Sequence, residues 1–87
     1  MNLGRAFGRA VSDRRQDLEL TQEAFATKLH MQSSAISRLE RGVVSPRLEM
    51  VERIAAALDT TASVLLQEAE RHQQRAMKNP KLRPVEK

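Results

Sequence analysis

The sequence predicts an all-α fold of five short helices. Apolar residues recur at three- and four-residue spacings in five separate stretches, and residues that cap or break helices stand between those stretches. No run of alternating β-branched residues suggests a strand. The 87 residues, 40% apolar and 30% charged, suit one small globular domain, whose core buries about 60–65% of the unfolded surface. There is no cysteine, so neither disulfides nor a thiolate zinc site supports the fold. Phe7 and Phe25 are the only aromatics, which makes the core aliphatic.

The elements follow in order. Leu3, Phe7, Ala10 and Val11 share one helical face and define a first helix over about residues 3–17. Gly4 and Gly8 weaken its start by roughly 1 kcal/mol each relative to alanine. Thr21 is an N-cap for a second helix, with Glu23 at the positive end of its dipole and Leu20 and Phe25 at staple spacing. His30, Met31 and Gln32 interrupt the pattern. Ser33 and Ser34 open a third helix with Ala35, Ile36 and Leu39 inward, and Gly42 closes it. Ser45 followed by Pro46 reads as the start of a fourth helix with a stripe of Leu48, Val51, Ile54, Ala55 and Leu58. Thr61 caps a fifth helix carrying Val64, Leu65, Leu66 and Ala69, which runs on polar to about Lys78 before Asn79-Pro80 stops it.

Charge is sorted along the chain. Residues 71–87 hold six basic side chains and one acid, so the net charge of +4 comes from this tail rather than from residues 1–70. The expected division is therefore a domain over 1–70 and, over 71–87, a basic extension of helix 5 with a flexible end. Within the domain, Lys28, Arg38, Arg41 and Arg47 face only Glu40 between residues 28 and 48, while acids dominate 49–70. Such a basic strip on an acidic body suits a polyanionic partner. Enzymatic readings find no support. His30 and His72 stand apart with no acid cluster at ligand spacing, and there is no nucleophile elbow or glycine-rich phosphate loop, so neither a metal nor a cofactor is expected. The longest apolar run, Ile54–Leu58, is too short to span a membrane, and the opening MNLGRAFGRA lacks a signal peptide's apolar stretch; the expected location is the cytoplasm.

The most informative stretch is Thr21 to Gly42. Two short helices flank a tight turn, and Ala26 is small enough to let them approach. Ser33, Ser34, Ser37, Arg38 and Arg41 form a polar stripe opposite Ile36 and Leu39. Short hydroxyls beside a long arginine suit a helix laid in a major groove, where arginine bonds guanine in bidentate fashion. Periodicity and charge leave a merely solvated helix face open as the alternative.

These same residues carry a resemblance. TQEAFATKLHMQSSAISRLERG followed by SPRLEMVERIAAALDTTASVLL resembles the helix-turn-helix domain of the Xre family, the phage Cro and repressor type, over about Leu3 to Glu68. The resemblance implies a five-helix lambda-repressor-like domain with the helix-turn-helix at helices 2 and 3, and helix 3 as the recognition helix. It further implies that Gln32, Ser33, Ser34 and Arg38, with Ser37 nearby, reach base edges. Gln22 would bond a phosphate and brace helix 3, Arg41 and Arg47 would contact the DNA backbone, and Arg15 and Glu40 would form a structural ion pair between helices 1 and 3. The chain departs from the family at His30 and Asp59, where glycine is usual and positive φ is expected. It departs again at Gln32, a poor cap that moves the start of helix 3 toward Ser33, and at Arg47, which leaves the cap of helix 4 to Ser45.

The function implied is a sequence-specific transcriptional regulator binding double-stranded DNA as a homodimer on a palindromic operator. Met50, Val64, Leu66 and Ala69 are candidates for the dimer surface or for the core. The alternative is a protein-interaction module, such as an antitoxin or the partner of a larger regulator, with the tail as its binding arm. The tail itself suits either added DNA affinity through counterion release or a solubilising end.

Overall fold

The structure, a computed structural model, describes residues 1–78 and contains five helices: α1 (Leu3–Asp17), α2 (Gln22–Lys28), α3 (Ser33–Glu40), α4 (Leu48–Ala57) and α5 (Ala62–Lys78). No strand occurs among the described residues. The expected stop at Asn79-Pro80 and the flexible tail beyond it lie outside them. Asn2 caps α1, its side chain accepting from the Arg5 amide at 2.8 Å, and Thr21 caps α2 by accepting from Ala24 at 3.0 Å. Thr61 accepts from the Val64 amide at 3.3 Å at the start of α5.

One expected start differs, that of the fourth helix, while the third opens at Ser33 as expected. The fourth helix begins at Leu48 with Arg47, not Ser45, as its N-cap, and no side chain caps it. Pro46 is instead a packing residue, lining the apolar grooves on both sides of the start of α4, while Arg47 keeps the extended backbone of a cap residue. Glu49 in the first turn supplies the favourable charge at the helix dipole. At α3 the N-cap is Gln32, also without a side-chain bond, and Ser33 is the first helical residue. Leu3 and Leu48 lie at the first turns of α1 and α4 and remain exposed, so the buried stripes of both helices start one turn later than expected.

The first four helices end alike. Glu19, His30, Gly42 and Asp59 follow the respective C-caps with φ of +58°, +56°, +74° and +57°. Each amide bonds back to the third carbonyl before it, and the next amide bonds back to the fifth, as in Leu20 to Arg15 and Met31 to Ala26. These are Schellman ends. Only one uses the glycine that the left-handed conformation favours. Positive φ at His30 and Asp59 agrees with the sequence, whereas nothing in the sequence points to it at Glu19.

The core gathers Ala6, Phe7, Ala10 and Val11 of α1, Phe25 and Ala26 of α2, Ile36 and Leu39 of α3, Val51, Ile54 and Leu58 around α4, and Leu65 and Ala69 of α5. Phe25, Ile36, Ile54, Leu58 and Leu65 are fully enclosed. The longest shared interface joins α1 to α5. There Arg14 donates two hydrogen bonds to Glu68 at 3.0 and 3.2 Å, which raises the arginine pKa above its ordinary value, chiefly through those bonds. Asp13 meets His72 at 2.9 Å. With His72 so paired and Ala76 buried, α5 continues to pack beyond residue 70.

Two contacts fix α3 on α1. Gly8 lies so close to the end of α3 that a Cβ there would stand 2.5 Å from the Glu40 carbonyl oxygen and 2.6 Å from that of Leu39. Its cost to helix propensity is the condition for helix contact. Arg15 then donates to Glu40 through Nε at 2.7 Å and Nη2 at 3.1 Å, and through Nη1 to the Leu20 carbonyl at 2.8 Å. Gln22 Nε2 adds a third donor to Glu40 at 3.0 Å. The side chains of Arg15 and Glu40 are only 12% and 6% exposed, which makes the pair sensitive to loss of either member.

Two stability changes follow. Gly8→Ala gains roughly 1 kcal/mol of helix propensity but forces the α1 and α3 backbones away from each other, so a net loss of about 1–3 kcal/mol is expected in urea denaturation. A neutral or stabilising result would mean that α1 and α3 do not approach so closely. Glu40→Ala strands the Arg15 guanidinium and is expected to cost about 3–5 kcal/mol; a cost of a few tenths, typical of exposed pairs, would contradict the arrangement.

Candidate nucleic-acid interface

The clamp acts on one side of α3 and leaves the other side open. Ile36 and Leu39 face the core, while Ser33, Ser34 and Arg38 are exposed and Ser37 is half-buried. Exposed Gln32 precedes them on extended backbone, its amide unused by any cap. Among the described residues, the side chains of Gln32, Ser33, Ser34, Arg38 and Arg47 have no hydrogen-bond partner. Arg41, also exposed, makes one long bond from Nε to the Ser37 carbonyl at 3.3 Å, which leaves its terminal nitrogens unengaged. The structure therefore brings Gln32, Ser33, Ser34, Ser37, Arg38 and Arg41 onto one helix and its flanks. Arg47 stands with Arg38 along the rim of the groove between α3 and α4, whose floor includes Met31, Leu39 and Met50.

Gln22 is half-buried and spends one amide hydrogen on Glu40, which leaves the second for another acceptor. Its side chain thus ties α2 to the end of α3. Lys28 does not belong with the open face. Its Nζ donates to the Ala57 carbonyl at 2.8 Å and caps the end of α4, while Arg53 of α4 donates to the Leu29 carbonyl at 2.7 Å and caps the end of α2. This exchange of cationic caps satisfies the carbonyls that a helix end leaves unpaired. The two pairs span 29 and 24 residues of sequence, so no local pattern announces them.

The four candidates for a dimer surface do not form one patch. Met50 lines the groove beside α3, whereas Leu66 lies with Leu3, Phe7 and Leu48 in a groove on the other side of α4. Val64 is half-buried on α5. Ala69 is wholly enclosed in the core and offers no area to a partner, a correction that follows from the α1–α5 packing. Among the described residues no three His, Asp or Glu side chains gather at metal-binding distance, and no helix is long and apolar enough to cross a membrane.

Known proteins share this arrangement. A helix-turn-helix family model, HTH_3, matches residues 11–65. No curated protein matches the sequence. Among solved structures, one of the clp gene regulator ClgR from Corynebacterium glutamicum superimposes with a TM-score of 0.79 at 26% identity, over 83% of this chain and 94% of that one. A second structure of the same regulator gives a TM-score of 0.81 at 26% identity, over 90% of this chain and 85% of the other. The matched segment runs from the buried face of α1 into α5 and takes in the clamp, both helices of the motif and the turn between them. The chain belongs to the Xre-type helix-turn-helix family of DNA-binding proteins.

Proposed function

We propose that the protein is a transcriptional regulator that lays α3 in the major groove of DNA. The observation that carries this reading is the division of α3 into one face locked to the core and one face of exposed, unpartnered Gln32, Ser33, Ser34 and Arg38. Side chains without internal partners present free donors and acceptors at the width of a groove, and a basic residue among them suits both phosphate and guanine. Gln22, Arg41 and Arg47 sit at the borders of this face and take the phosphate role. Arg15 and Glu40 carry no base contact and hold α3 in place.

An eight-residue helix spans about 12 Å, enough for four or five base pairs. Selectivity in a genome requires more, so the protein acts as a homodimer on a palindrome with half-sites about 34 Å apart. Val64 and Leu66 on α5 supply apolar area for the pairing.

Selection from random duplex DNA at physiological salt tests this directly. The expected yield is an inverted repeat with half-sites one helical turn apart. Arg38→Ala is expected to lower affinity by about 1–3 kcal/mol per half-site and to relax preference at a single position. Uniform weakening on every sequence would reduce Arg38 to a phosphate contact, and retention without a consensus would overturn base reading by α3.

A further inference from the structure

The stripe along α3 does not end at Arg41. Beyond it, Arg5 and Arg9 of α1 border the same depression as Arg41, with Met1, Ser12 and Glu40 completing the wall. The Glu40 carboxylate is 6% exposed and already accepts from Arg15 and Gln22, so it does little to neutralise the three guanidinium groups. Arg5 has no ion-pair partner among the described residues. Arg9 has only Asp13, at 3.7 Å on a 60% exposed side chain, and Asp13 is shared with His72.

Stability does not account for these charges. Arg5 stands in the first turn of α1, where the helix dipole disfavours a cation, and that turn has no acid. In α2 and α4 the first turn holds Glu23 and Glu49, as the dipole favours. Arg5 and Arg9 are also four residues apart on one helix, a spacing at which like charges repel. Arg5 thus opposes the dipole of its own helix, and Arg5 and Arg9 repel each other, at the edge of the open face of α3. Their common feature is a fit to something polyanionic.

We infer that Arg5 and Arg9 form, with Arg41, a phosphate-binding ridge that engages the backbone of the duplex held by α3, outside the bases that α3 reads. The inference rests on the proposed function for its partner. Guanidinium groups bind phosphate oxygens in bidentate fashion, and such contacts add affinity and orientation without base preference. The ridge lengthens the electrostatic footprint of the protein along the DNA and fixes the angle at which α3 enters the groove.

The test is the salt dependence of duplex binding by the full chain, followed by fluorescence anisotropy, for the wild type, Arg5→Gln, Arg9→Gln and the double variant. At position 5 glutamine keeps much of the side-chain stem that lies against Gly42, and at both positions it removes the charge. Removing each phosphate interaction is expected to reduce the slope of log affinity against log salt by about 0.9. The base preference obtained by selection should stay unchanged, and the melting temperature should hold or rise. A double variant with the wild-type slope would overturn the ridge, as would a slope that falls only alongside a lower melting temperature. Measuring on both a selected duplex and an arbitrary one separates the two readings. Loss of selectivity in the wild type defeats base reading by α3, yet the ridge still predicts a reduced slope on the arbitrary duplex. A wild type that binds neither duplex overturns both.

Discussion

The carboxylate of Glu40 is the point on which the rest of the structure depends. An eight-residue helix is too short to persist in water by its own hydrogen bonds, so α3 exists because its surroundings hold it. Three donors from two other helices converge on that one side chain, and the Arg15 guanidinium also reaches back to the Leu20 carbonyl ahead of α2. The last residue of α3 is thereby tied to both α1 and the start of α2. Gly8 brings the α1 backbone to within contact of the same end. The helix is held at its C-terminal end by polar groups and along its length by Ile36 and Leu39, and its outer face remains open.

The helix ends extend the same logic to the connections. Four successive Schellman ends turn the chain sharply after each of α1 to α4 and pair the last carbonyls of each helix within the chain. Lys28 and Arg53 then join the ends of α2 and α4 by exchanging cations. The turn between α2 and α3 is consequently fixed by a left-handed His30 within the chain and by Arg53 from outside it. Positioning of α3 relative to α2 thus rests on contacts remote from the exposed face.

How much of this is legible in the sequence depends on the range of the interaction. Thr21 and Thr61 act within one turn of themselves, and their caps are readable from local spacing. The stripes of α3 and α4 are equally plain, since burial has a helical period. The start of α4 misleads because Ser45-Pro46 has the local form of a cap, whereas packing on both flanks of the helix keeps Pro46 in the loop. Gly8 looks like a flaw in α1, and only the approach of α3 gives it a purpose. Ala69 shares the apolar spacing of an exposed candidate, and the α1–α5 interface encloses it. The pairing of Asp13 with His72 spans 59 residues, and the exchange between Lys28 and Arg53 depends on how α2 meets α4; neither leaves a sequence signal. At the candidate interface, the family resemblance supplies the Arg15–Glu40 pair, while local periodicity supplies the exposed serines and Arg38.

If α3, held from behind, is the surface that meets DNA, amide chemical-shift mapping of the labelled protein titrated with a duplex shows it most directly. The largest changes are predicted on Gln32 to Arg41 and on Arg47, with small changes across Ala62 to Ala69 of α5. Changes concentrated on α5 with α3 unmoved would contradict this.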